Sequence, residues 1–204
     1  MLRIQRNNKG FSLVELMVVI SIFLIITGVV FANLPNFRDK SFLQLIAQEI
    51  AVTIRQAQVF GVATRVSLAD FDKFPSHGIY INLFESNNSF IFFSDSLPSG
   101  DPPGDGLFDP NILCGQSGSE CVEKFMINGA VKIANVWGCN NSGCNTDVGP
   151  DGATILFKRP YPEALLNPAS DYSHYRITIQ STKDDTREKY IDIWNTGQIA
   201  VLDS

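Results

Sequence analysis

Residues 11–34 form an apolar run of 24 residues interrupted by a single carboxylate, Glu15. As a helix rising roughly 1.5 Å per residue, the run measures about 36 Å, enough to cross a hydrocarbon core of about 30 Å. Ahead of it, Arg3, Arg6 and Lys9 load the leader with positive charge and no acid, a bias that holds that end in the cytoplasm and sends the rest of the chain out. A cleaved secretory signal has a shorter apolar stretch closed by a small-residue cleavage site, and Ala32-Asn33-Leu34-Pro35 makes a poor one. Glu15 is the tighter constraint. An ionised acid at the bilayer centre costs on the order of 2.5–3.5 kcal/mol, so a cation should be waiting for it.

The stretch Lys9-Gly10-Phe11-Ser12-Leu13-Val14-Glu15-Leu16-Met17 resembles the class III signal of type IV pilins and type II secretion pseudopilins. The resemblance implies that a prepilin peptidase cuts between Gly10 and Phe11, that the new amine on Phe11 is N-methylated, and that the apolar segment stays on the protein. Glu15 then lies one turn from a cationic terminus and near the positive end of the helix dipole. In that family the pairing is intermolecular, with Glu15 of one subunit neutralising the Phe11 amine of its neighbour as subunits leave the lipid and stack into a filament. The implied partners are other pilin or pseudopilin subunits, the prepilin peptidase, an inner-membrane assembly platform and, before assembly, the bilayer. The implied location is the inner membrane, with a single pass, the N-terminus cytoplasmic and the head periplasmic or extracellular.

Read in segments, residues 1–10 are a cleaved leader, 11–34 a transmembrane and filament-core helix, 35–63 an amphipathic helix and 64–204 a β-rich extracytoplasmic head. In the second segment Leu43, Ile46, Ile50, Ile54, Ala57 and Gly61 recur every three or four residues while Gln44, Gln48, Arg55 and Gln56 fall elsewhere on the wheel. The simplest architecture is one long helix whose second half packs its apolar stripe on a sheet, with Gly28 and Pro35 as candidate bends. The stretch Ala51-Val52-Thr53-Ile54-Arg55-Gln56-Ala57-Gln58 is similar to the helix end of GspH/FimT-type minor pseudopilins.

From Arg65 the period falls to two. Ile79, Ile81 and Leu83 alternate with Tyr80, Asn82 and Phe84, and 90–93, 124–128, 131–137, 154–158, 175–180 and 189–194 read as further strands. Residues 190–201 read as a hairpin around Gly197, a segment that also resembles the closing strand pair of GspH/FimT-type proteins. The expected fold class is α+β, a long N-terminal helix on an antiparallel β-rich head.

Between positions 98 and 110 lie four prolines and three glycines, which exclude a central strand. Asp101, Asp105 and Asp109 line this loop and are weak calcium candidates, since their spacing is not that of an EF-hand and a solvated turn explains them as well. Phe92-Phe93-Ser94-Asp95 followed by Gly104-Asp105-Gly106 resembles a Phe-x-Asp…Asn-Gly stretch of GspH/FimT-type proteins and favours a structural loop. The cysteines Cys114, Cys121, Cys139 and Cys144 all fall in the expected extracytoplasmic part, so two disulfides are the default. Three pairings are possible, of which Cys114 with Cys121 and Cys139 with Cys144 close the smallest loops. The spacings match neither a zinc knuckle nor a redox Cys-x-x-Cys.

Catalysis leaves no mark. His77, beside Gly78 in a turn-like setting, and His174, at a strand start, are the only histidines, and neither sits in a nucleophile or phosphate-loop motif. The chain reads as a peptidase substrate rather than an enzyme, with no cofactor. Loss of the leader moves the formal charge from −5 to −8, an acidic balance that is a poor general binder of nucleic acid. A DNA-binding minor pilin of a competence system is the alternative, but such receptors related to FimT carry a basic Gly-Arg-x-Arg tail, and this chain reads Gly197-Gln198-Ile199-Ala200 with Asp203 behind it. The cations Lys183, Arg187 and Lys189 are interleaved with Asp184, Asp185 and Glu188, as in a solvated turn. An uncleaved bitopic membrane protein is the remaining reading.

Overall fold

The computed structural model describes residues 10, 12–63, 75–95, 104–112, 114–127, 129–168 and 171–203, apart from the side chains of residues 33, 35 and 36. The expected period-two start at Arg65 lies outside these residues. The chain divides into two units, Met1–Asp39 and Lys40–Ser204. Its architecture is α+β and pilin-like: helix α1 (Leu13–Val62) is followed by ten strands in two antiparallel five-stranded sheets.

The helix assignment runs unbroken through Gly28 and Pro35. Within the second unit, the periodic stripe of the sequence is the buried face: Leu43, Ile46, Ala47, Ile50, Ile54 and Ala57 all belong to the main core. At roughly 1.5–3 kcal/mol for each fully buried Leu or Ile, this stripe outweighs the few tenths that β-branched residues lose in a helix, and tertiary packing sets the conformation. Near the helix end, a Cβ on Gly61 would stand 2.3 Å from the Phe157 carbonyl oxygen, so only glycine lets the last turn lie this close to a strand.

The first sheet has the order β3-β2-β1-β6-β7, from β1 (Ser76–Ile81), β2 (Ser89–Asp95), β3 (Cys121–Met126), β6 (Ala153–Phe157) and β7 (Ala164–Asn167). β1 and β6 are buried along their whole length because both faces are covered. Ile79, Ile81, Phe92 and Ile155 face the helix, whereas Tyr80, Phe93 and Leu156 face Phe108 of the proline-rich loop. The Phe108 ring lies 4.9 Å from that of Tyr80 and 5.5 Å from that of Phe93.

β4 (Val131–Asn140), β5 (Gly143–Asp147), β8 (His174–Ser181), β9 (Glu188–Trp194) and β10 (Ile199–Asp203) form the second sheet in the order β10-β9-β8-β4-β5. Its inner face, with Val131, Ile133, Val136, Tyr175, Ile177, Ile179, Ile191 and Ile193, completes the same core. A bulge between Ile133 and Asn135 inserts a residue into β4, which switches the inward parity from 131 and 133 to 136.

Three strand expectations need correction. β1 stops at Ile81 rather than continuing through Leu83, because the Asn82 carboxamide oxygen accepts the Phe84 and Glu85 N–H groups and turns the chain. β3 begins at Cys121, earlier than the expected 124. His77 and Gly78 are not in a turn: both pair inside β1, and Gly78 is there because a Cβ would meet the Phe93 ring at 2.7 Å.

Candidate functional site

The first residues of α1 build the site. Ser12 supplies the carbonyl that receives the Leu16 N–H at 3.2 Å, and Glu15 follows in the first turn, where unpaired backbone N–H groups favour a carboxylate. From Leu13 to Ala32 the helix is long and apolar enough to cross a membrane, and none of it is buried within the molecule. Its apolar residues point in all directions, so a one-sided seam cannot cover them.

The polar residues of this stretch separate into two kinds. Ser21 Oγ donates to the Met17 carbonyl at 2.8 Å and Thr27 Oγ1 to the Phe23 carbonyl at 2.7 Å, so both hydroxyls are satisfied inside the helix and tolerate an apolar environment. Glu15 has no such internal solution. It is the sole ionisable group between Leu13 and Ala32, and it is exposed. Gly10 is also exposed, and a Cβ there would meet nothing within 4 Å. Arg3, Arg6, Lys9 and Phe11 lie outside the described residues.

Residues 5–31 match the prokaryotic N-terminal methylation motif. The chain carries a prepilin-type leader. This leader and the apolar helix behind it indicate a type IV pilin-like, prepilin-processed protein and fit a membrane anchor. The motif implies assembly with other pilin subunits and processing by a prepilin peptidase. No curated protein and no solved structure matches the chain.

The remaining residues singled out in this prepilin-type chain sit elsewhere. Cys114 is bonded to Cys121, and Cys139 to Cys144. Asp105 Oδ1 accepts the Leu107 N–H at 2.9 Å, and Asp109 Oδ1 accepts Asn111 N–H at 2.9 Å and its side-chain amide at 2.8 Å; both acids thereby cap their own turns, and Asp101 lies outside the described residues. The two halves of the Phe-x-Asp…Gly pattern meet. Asp95 is only 1% exposed, accepts the Gly106 N–H at 3.3 Å, and lies so close to Gly104 that a Cβ there would overlap its carboxylate. Burial pushes the Asp95 carboxyl up to about 6, with the nearby Asp105 acting in the same direction and the Gly106 hydrogen bond and Lys158 against it.

His77 is buried and stacks on Phe92 at 5.9 Å. Of the basic group near the β8–β9 turn, Arg187 pairs with Asp184 at 2.8 Å and Lys189 with Asp203, so these charges are matched rather than presented as a patch. Sequence reasoning missed the ion pair on the outer face of the second sheet: Arg176 donates to both Asp192 oxygens at 2.8 and 2.7 Å and lies over the Tyr190 ring at 5.1 Å. The one available signal was an acid between Ile191 and Ile193 in a strand whose alternate positions are core.

Proposed function

We propose that the protein is a structural subunit, a minor pseudopilin or minor pilin, of a type II secretion pseudopilus or type IV pilus. The observation that carries this reading is a helix that is apolar on every side, unburied from Leu13 to Ala32, and charged only at Glu15 near its start. Lipid covers such a helix before assembly, and neighbouring helices cover it afterwards. In this reading prepilin peptidase releases residues 1–10 by cutting before Phe11, and the freed, N-methylated amine becomes the cation that Glu15 lacks. With the pair formed between subunits, moving from lipid to filament exchanges an uncompensated charge for a compensated one, a gain bounded by the roughly 2.5–3.5 kcal/mol that a charge costs at the bilayer centre, since Glu15 lies in the first turn. The basic leader supports an inner-membrane protein with a cytoplasmic N-terminus and the β-rich head outside.

Two substitutions test it. Gly10→Val should block cleavage, leaving the leader on the chain by intact mass; a mature mass identical to that of the unaltered protein would show that the Gly10–Phe11 bond is not the processing site. Glu15→Ala should still be cleaved and inserted but be lost from sheared filaments. Incorporation at the level of the unaltered protein would remove the charge pair from the assembly step.

A further inference from the structure

Across the outer face of the second sheet, four side chains on adjacent strands fall into one row: Cys144 pairs with Cys139, Cys139 with His174, and His174 with Trp194. The sulfurs of Cys139 and Cys144 and a ring nitrogen of His174 lie within 4.8 Å of one another. Cys139 is fully buried, and the His174 ring is clamped by a stack on Trp194 with centroids 5.3 Å apart. Its Nδ1 is 3.0 Å from Ser173 Oγ, while its Nε2 is buried with no hydrogen bond and stands 3.8 Å from Asp192 Oδ2. Asp192 does not fill that vacancy, because Arg176 already engages both of its oxygens.

We infer that, when the Cys139–Cys144 disulfide is opened, the two thiolates and His174 form a zinc site on the sheet. A dithiol reductant supplies two electrons and two protons, converting the disulfide to two thiols as its own pair closes. Zinc then displaces both thiol protons to solvent, making two Zn–S bonds and one Zn–N bond with a water in the fourth position. The ligand set suits zinc, whose bonds of about 2.3 Å to sulfur and about 2.0 Å to nitrogen place neighbouring ligand atoms about 3.5 Å apart. The two sulfurs, bonded to each other in the oxidised protein, move apart once the disulfide is opened, while the histidine nitrogen closes on them by up to roughly an ångström. Three donors fixed on adjacent strands are organised in advance, and a second partner on the histidine holds its ring as metal-bound histidines require. The loop spacing of the cysteines alone could not reveal this, since the third donor comes from a distant strand. Zinc capture and disulfide formation therefore compete at the β4–β5 hairpin before it is oxidised.

The test uses the full chain in detergent micelles, reduced with a phosphine and titrated with Co2+ and then Zn2+. One Co2+ per chain should bind with a thiolate-to-cobalt charge-transfer band that Zn2+ abolishes, and the oxidised protein should bind none. His174→Ala should weaken binding by at least about tenfold, since losing a ligand costs no less than the 10–100-fold typical of losing a supporting partner. A variant with Cys114→Ser and Cys121→Ser should bind unchanged. The proposal is overturned by a reduced protein without the band, by binding that survives His174→Ala or requires Cys114 and Cys121, or by binding in a chain whose sheet circular dichroism has collapsed on reduction.

Discussion

The side-chain amide of Gln58 donates to the carbonyl of Gly197 at 2.9 Å and to that of Pro162 at 3.0 Å. One side chain thus ties the last turns of α1 to the β9–β10 turn and to the segment leading into β7. Gly197 has a φ of +84°, and a Cβ on it would stand 2.0 Å from the Pro162 oxygen, so the turn is specified by backbone conformation and by space together. Gln58→Ala leaves the part-buried Gly197 carbonyl without its side-chain donor while the exposed Pro162 carbonyl turns to water, and should cost about 1 kcal/mol in urea unfolding. Gly197→Ala should cost more than Gln58→Ala, since it adds strain at a positive φ to the loss of the same contact. The opposite order would show that the turn relaxes freely.

Gly61→Ala offers a test with reversed sign. In an exposed helix the change would stabilise by about 1 kcal/mol. Here the new methyl group meets the Phe157 carbonyl, and we expect a net loss of about 2 kcal/mol or more, read as a lower thermal midpoint of the head.

Arg176 and Asp192 should respond unequally to truncation. The Asp192 side chain is 2% exposed and that of Arg176 31%, so the arginine can recover hydration that the aspartate cannot. Arg176→Ala strands a buried carboxylate and should cost on the order of 3 kcal/mol; Asp192→Asn should cost less. Equal losses in denaturant titrations would mean that water reaches Asp192 once its partner is gone.

Asp95 sets a pH dependence. Its folded pKa of about 6 lies above the ordinary 3.8, so the folded state holds the proton more tightly. The resulting stabilisation is complete below the ordinary value and is lost as pH rises through about 6. Asp95→Asn keeps an acceptor for Gly106 and removes the ionisation. Its stability relative to the unaltered protein should therefore climb by on the order of 2 kcal/mol between pH 4 and pH 7. A difference that stays flat across that window would place the titration elsewhere.

Legibility in the sequence followed periodicity. The helix stripe from Leu43 to Ala57 and the strands carrying Ile177, Ile179, Ile191 and Ile193 were readable because core and period coincide there. β5 was not, since Gly143–Asp147 is a mostly exposed edge strand with no apolar alternation, and β7 was hidden behind Pro160 and Pro162. Gly78 misled because a glycine required by a neighbouring ring is indistinguishable, in sequence, from one required by a turn. At the helix start, the leader motif over residues 5–31 was legible as a short linear pattern, whereas the row of Cys144, Cys139 and His174 exists only once three strands are aligned.

The Gln58–Gly197 hydrogen bond spans 139 residues of chain. On a ribosome the apolar span is complete and ready for lipid long before the strands that cover the Leu43–Ala57 stripe have been made. Until those strands are made, that stripe has no sheet to rest on. Loss of the β9–β10 turn should therefore be felt at the distant helix end, where Gln58 gives up its bond to Gly197.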